Sequence, residues 1–117
     1  MLHIINETRD TVVAKDVRLA DRFWPRFWGL MGHRGLPEEA GLLLRPSSSI
    51  HTAFMRFAID VVFLDRSLRV VKVVPRMKPF RATIAFGGAH SALELNPGAA
   101  EKAQVQTGDQ LALVDQE

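Results

Sequence analysis

A mainly β fold, a single-domain β-sandwich or distorted barrel, is what this chain of 117 residues predicts, and three observations carry the prediction. Apolar runs of strand length, rich in Val, Ile and Phe, recur between turns containing Gly and Pro; about eight short strands can be counted, mostly antiparallel. Only one stretch, near residues 21–32, repeats its apolar positions at helical spacing. Strands and helices nowhere alternate as in a parallel βαβ sheet, and no repeat or long linker divides the chain, so residues 1–117 form one domain.

Residues 2–5 and 11–19 are the opening strands, although neither face of the second is cleanly apolar. Asp21 can cap the helix, whose positions Phe23, Phe27, Leu30 and Met31 line one side with Trp24 and Trp28 beside them. Pro25 fits its first turn and Gly32 or Gly35 can end it. Residues 40–45 give a short apolar strand, and Pro46-Ser47-Ser48-Ser49 is a loop by composition. Residues 59–64 form the most apolar strand; the turn Asp65-Arg66-Ser67 returns the chain as an antiparallel strand over 68–74. Residues 75–81 are a Pro- and basic-rich loop, 82–86 a brief strand, 90–95 a strand ending at Asn96-Pro97-Gly98, 99–102 one helical turn, and 110–114 the last strand. Val61, Phe63, Leu68, Val70, Val73, Leu93, Leu95 and Leu111 are expected to share one core.

An apolar fraction of 47% is enough for that core. There is no cysteine, so disulfides and thiolate ligands are excluded. The apolar start of the chain is broken at His3, too short for a signal-peptide core, and no run reaches the roughly 18 apolar residues of a membrane span. A soluble, cytoplasmic protein is expected. The net charge is only +2, yet ten arginines fall between Arg18 and Arg81. A basic face of this kind could attract an anionic ligand, a membrane surface or nucleic acid, but the field is weak, and no nucleic-acid partner is expected.

Several strings occur together and in order: Gly29-Leu30-Met31-Gly32, Gly41-Leu42-Leu43-Leu44, Ser49-Ile50-His51-Thr52, Met55-Arg56, Ile59-Asp60-Val61-Val62-Phe63-Leu64-Asp65, Leu93-Glu94-Leu95-Asn96-Pro97-Gly98 and Gly108-Asp109. In this series the chain resembles the DUF192 family, also called UPF0127, of small bacterial and archaeal proteins. The resemblance implies a mainly β sandwich or barrel and carries no assigned activity. Many such proteins have a secretion signal or lipoprotein anchor before this domain; none is read here. Similar sequences often hold a cysteine where this chain has Pro46-Ser47-Ser48-Ser49, which leaves no thiol chemistry at that loop.

His3, His33, His51 and His90 lack the spacing of a metal pair, and a site built from His51, His90 and Asp60 or Glu94 would need distant segments; no metal and no cofactor are expected. Ser49 and His51 share a strand parity, but no nucleophile elbow surrounds them. The polar residues carried into the central apolar run ask for explanation, since an unsatisfied buried polar group destabilises by about 1–3 kcal/mol. One explanation is a buried network that fixes strand register. Another is a noncatalytic binding module, with a cleft near His51, Arg56 and Asp60 for a small anionic ligand or peptide, lined by Arg45, Ser49, His51, Thr52, Met55, Arg56, Asp60 and Glu94. The alternatives are a hydrolase-type enzyme with His51 as general base, oriented by Asp60 or Glu94, and an assembly protein binding through an apolar surface around Trp24 and Trp28. Asp60 is expected to be held by hydrogen bonds and to brace the Ser49-Ile50-His51-Thr52 segment.

Overall fold

Ten strands and one short helix make up the described part of the chain, a computed structural model covering residues 1–20, 36–51 and 57–116. β1 (Leu2–Asn6), β2 (Thr11–Ala14) and β10 (Leu111–Asp115) form an antiparallel sheet in the order β10-β1-β2. β3 (Asp16–Ala20), β4 (Ala40–Leu44), β6 (Ile59–Leu64), β7 (Val70–Met77) and β9 (Ser91–Leu95) form the central sheet, ordered β3-β4-β9-β6-β7. β5 (Ser49–His51) and β8 (Ala82–Ile84) pair as a two-stranded ribbon, and helix α1 (Ala99–Lys102) follows β9. All pairings are antiparallel except β3 with β4. The mainly β architecture expected from the sequence is therefore found; the helix near residues 21–32, with both tryptophans, lies outside the described residues.

The single core expected from the sequence divides in two, because the central sheet is covered on both faces. Every residue of β6 is buried. Val62 and Leu64 pack with Leu43, Leu93 and Leu95 against Ile4, Val13, Ala14 and Leu111 of the three-stranded sheet. Ile59, Val61 and Phe63 point the other way and pack with Leu42, Leu44, Met77, Ala85 and Ala92. Alternate residues of a strand face opposite sides, so an unbroken apolar run is what two-sided burial requires. Val61 and Phe63 accordingly belong to a different layer from Val70, Leu93, Leu95 and Leu111.

Three boundaries differ from the sequence reading, each for a local reason. The strand expected over 11–19 breaks at Lys15, whose N–H, like that of Asp16, reaches the Glu39 carbonyl; β2 joins one sheet and β3 the other. Its mixed faces reflect a strand that changes sheets. The loop expected over 75–81 is strand as far as Met77, since β7 is the edge of the central sheet, where a missing proline N–H breaks no ladder. Leu68, expected in a strand, lies in the turn at φ 69°. That turn is held by Asp65, whose Oδ1 accepts from the N–H groups of Ser67 and Arg69, both at 2.9 Å, and from the Ser67 hydroxyl at 2.8 Å. These bonds, the Arg69 N–H first, hold its carboxyl below the usual carboxylate range.

Two glycines are dictated by packing. A Cβ at Gly41 would meet Ala14 Cβ and Leu95 Cδ2 at 3.2 Å, so the bare backbone lets the two sheets approach. Gly98 precedes α1 at φ 91°, a left-handed conformation that glycine adopts without a side-chain penalty.

Candidate functional site

Asp60 is wholly buried, and its environment follows from a fault in the ladder beside it. The β6–β7 register shifts between Ile59 and Val61, and Arg76 across that bulge has φ 46°. A bulge takes an N–H out of the ladder, and that donor needs another acceptor. Asp60 Oδ1 accepts the Arg76 N–H at 2.8 Å, and Oδ2 accepts the Ala100 N–H in α1 at 2.9 Å. The carboxylate thus ties a bulged edge strand to the start of the helix. Among the described residues its partners are two backbone N–H groups and include neither an arginine side chain nor the loop 46–49, so the bracing seen is of β7 and α1; Thr52, the other expected partner, lies outside the described residues.

Glu94 lies on the opposite face. It pairs with Leu42 of β4 and Val61 of β6, and its side chain is only 6% exposed. Asp60 pairs with Leu95, one residue further along β9, so the sheet separates the two carboxylates expected to share a cleft. Arg45 is half-buried at the end of β4. The loop after it is pinned at both ends: the Ser47 N–H donates to the His90 carbonyl, and the Ala85 N–H to the Ser48 carbonyl, each at 2.8 Å. Ser49 is exposed and pairs with Ile84; His51 pairs with Ala82 through its backbone. Thr52, Met55 and Arg56 lie outside the described residues. Among the described residues no three of His, Asp or Glu cluster in a way that could hold a metal ion.

A second buried polar group escaped the sequence reading. Asn6 is wholly buried; its Nδ2 donates to Asp109 Oδ2 at 2.9 Å, while its Oδ1 accepts the N–H groups of Thr8 and Arg9. The same Asp109 oxygen accepts from Arg9 Nε at 3.2 Å and from the Gln106 N–H at 3.0 Å. Burial pushes the Asp109 carboxyl up, but the bonds from Asn6, Arg9 and Gln106 and the Arg9 charge outweigh it, leaving the pKa below the usual carboxylate range. The signal available in sequence was Gly108-Asp109, which entered there only as one of the strings that carry the family resemblance. Asn96 was likewise read only as a strand end; its side chain holds the backbone of Leu36 and Pro37 through bonds of 3.0–3.1 Å. An open cavity of about 320 Å³ lies beneath the β1–β2 turn, lined by Ile5, Asn6, Glu7, Asp10, Thr11 and Val12, and contains none of the candidate residues.

Fold and polar groups together define a small β module in which the described carboxylates of the Asp60 and Asp109 clusters serve the scaffold. The chain belongs to the DUF192 family, described as "Uncharacterized ACR", whose model matches residues 4–113. A UPF0127 protein of Pyrococcus horikoshii is 35% identical over 113 residues, covering 92% of this chain and 96% of its own. Among solved structures, a protein of unknown function from Novosphingobium aromaticivorans superposes with a TM-score of 0.78 at 20% identity, over 95% of this chain and 82% of its own. A candidate transcription regulator from Sinorhizobium meliloti gives 0.75 at 21%, over 95% and 90%. At these identities the likeness is one of fold.

Proposed function

We propose that the chain is a noncatalytic binding module for a small anionic molecule or the carboxylate of a peptide, with its site where β4 runs out into β5. Arg45, Ser49 and His51 belong to it, with Thr52, Met55 and Arg56 next in sequence and Glu94 on the face of the central sheet that also carries Val61. Asp60 enters as the brace of the scaffold. The observation that carries the reading is one of charge: from Arg66 to Leu93 the chain has six Lys and Arg residues and no Asp or Glu, and this tract supplies β7 and β8, the latter paired to β5. A cationic surround favours an anion at the β5 end. The hydrolase alternative has less support, because the Asp60 oxygens that would orient His51 already accept two backbone N–H groups.

The test is an NMR titration with phosphate, citrate and a Glu-rich peptide. Shifts are expected at residues 45–51, abolished by Arg45→Ala and retained in Lys102→Ala on the exposed surface of α1. Absence of shifts at 45–51 with every ligand, or equal loss in both variants, refutes the reading.

A further inference from the structure

The β1–β2 hairpin shapes the open cavity of about 320 Å³ at its end, a volume at the lower limit of small-molecule sites. Ile5 lies opposite Val12 and Asn6 opposite Thr11, and Glu7 and Asp10 follow in the turn. Two apolar side chains and two carboxylates thus meet at one opening, and Asn6 and Thr11 complete its described lining.

The hydrogen bonds already made decide what this lining can still offer. Thr11 Oγ1 gives its proton to the Ala103 carbonyl at 2.7 Å, which leaves it lone pairs only. The Asn6 Oδ1 atom is occupied by the Thr8 and Arg9 N–H groups. Glu7 and Asp10 are exposed, and neither carboxylate takes part in an ion pair or a side-chain hydrogen bond among the described residues. Arg9, between them in sequence, is committed to Asp109 Oδ2 at 3.2 Å and to Gln106 Oε1 at 3.0 Å, so that Asp109 balances its charge. Glu7, Asp10 and Thr11 therefore present acceptors and negative charge beside the hydrocarbon of Ile5 and Val12.

Four classes of ligand can be weighed against that surface. An anion is repelled by both carboxylates. A metal ion asks for a convergent ligand set, and no three His, Asp or Glu cluster in that way among the described residues; a hydrated ion would also leave Ile5 and Val12 facing water. A neutral alcohol matches the acceptors and leaves the charge unanswered. An aliphatic ammonium or guanidinium carries donors only, has the opposite charge and brings a stem that can lie on an apolar wall.

We propose that the cavity binds an organic cation on an aliphatic stem. The head donates to the Glu7 and Asp10 carboxylates and to Thr11 Oγ1, and the stem packs on Ile5 and Val12. The turn is set before a ligand arrives, because the Asn6 side chain holds its backbone, and binding has little chain to order. The site is independent of the anion site at Arg45.

The test is an NMR titration of the full chain with pentylamine, butylamine and agmatine at constant ionic strength, with pentanol and magnesium chloride as controls. Saturable shifts confined to residues 5–12 are expected from the amines and from neither control. Pentylamine should bind about threefold more tightly than butylamine, a comparison that needs no variant. Glu7→Gln and Asp10→Asn should each weaken binding by about fivefold with unchanged thermal midpoints, since both side chains are exposed and asparagine tolerates the φ of 57° at position 10. A capped Gly-Lys-Gly peptide separates two sources of the cation, each in keeping with the site: tighter binding than pentylamine assigns it to a side chain of a protein, weaker binding to a free amine. No saturable shift with any amine, equal shifts with pentanol or magnesium chloride, or parent affinity in the double variant overturns the proposal.

Discussion

Replacing Asp60 tests the scaffold most directly. Its carboxylate accepts two N–H groups at 2.8 and 2.9 Å, and neither Arg76 nor Ala100 has another described acceptor for that donor. A hydrogen bond to a charged acceptor contributes about 1.5–3 kcal/mol, and a buried donor left alone is unfavourable in itself, so Asp60→Ala should lower stability by about 3–5 kcal/mol. Asp60→Asn keeps the shape, but its amide can offer an oxygen to only one of the donors while its NH2 opposes the other; half the loss, roughly 2 kcal/mol, is expected. Urea unfolding measures both. With a slope of about 1–3 kcal/mol per molar, the midpoint of the Ala variant should fall by roughly 1–5 M. Hydrogen exchange adds position: the Arg76 and Ala100 amides should lose protection before the rest of the central sheet. An Asp60→Ala protein within about 1 kcal/mol of the parent would show that these donors are satisfied by other means and that the bulge does not depend on the carboxylate.

Phe63→Ala, at a wholly buried position between Leu42, Val61 and Ala92 in the second layer, should lower stability by about 3–5 kcal/mol; a loss below about 1 kcal/mol in urea unfolding would contradict its burial. Gly41→Ala places a methyl against Ala14 and Leu95 and should destabilise by about 1–3 kcal/mol; a more stable variant would mean that the sheets can part without penalty. Acid unfolding should report Asp109. Its folded pKa is lowered, so between the unfolded and folded values the unfolded chain binds more protons; the stabilisation is complete above the usual carboxylate range and is lost as pH falls through the folded value. Asp109→Asn should therefore give a less stable protein with a flatter acid limb, and an unchanged pH profile would remove Asp109 from that role.

What could be read from sequence was whatever depends on neighbours along the chain. The apolar runs at 59–64 and 90–95, the turn at Asp65, the single helical turn at 99–102 and the all-round β character are local patterns, and the structure has them. The partition into two layers was harder, because an unbroken run such as Ile59-Asp60-Val61-Val62-Phe63-Leu64 does not say which parity meets which sheet. The partners of Asp60 were out of reach for a different reason. They lie 16 and 40 residues away and are backbone donors that carry no signature of side-chain type. Asn6 and Asp109, 103 residues apart, are joined only because β1 and β10 pair. The break at Lys15 and the extension of β7 through Pro75 depend on which strands end up at an edge, a property of topology.

The place of β9 between β4 and β6 has a consequence for synthesis. β4 and β6 leave the ribosome well before Ser91, yet each finds its inner neighbour only in β9. Until then a nascent chain presents two unpaired, almost wholly apolar strand edges, of the kind that templates intermolecular pairing. A chain cut short before Leu95 should aggregate rather than form a smaller version of the fold, and slow translation across residues 65–90 should raise the demand for chaperones. The last strand to enter the central sheet is the one that closes it.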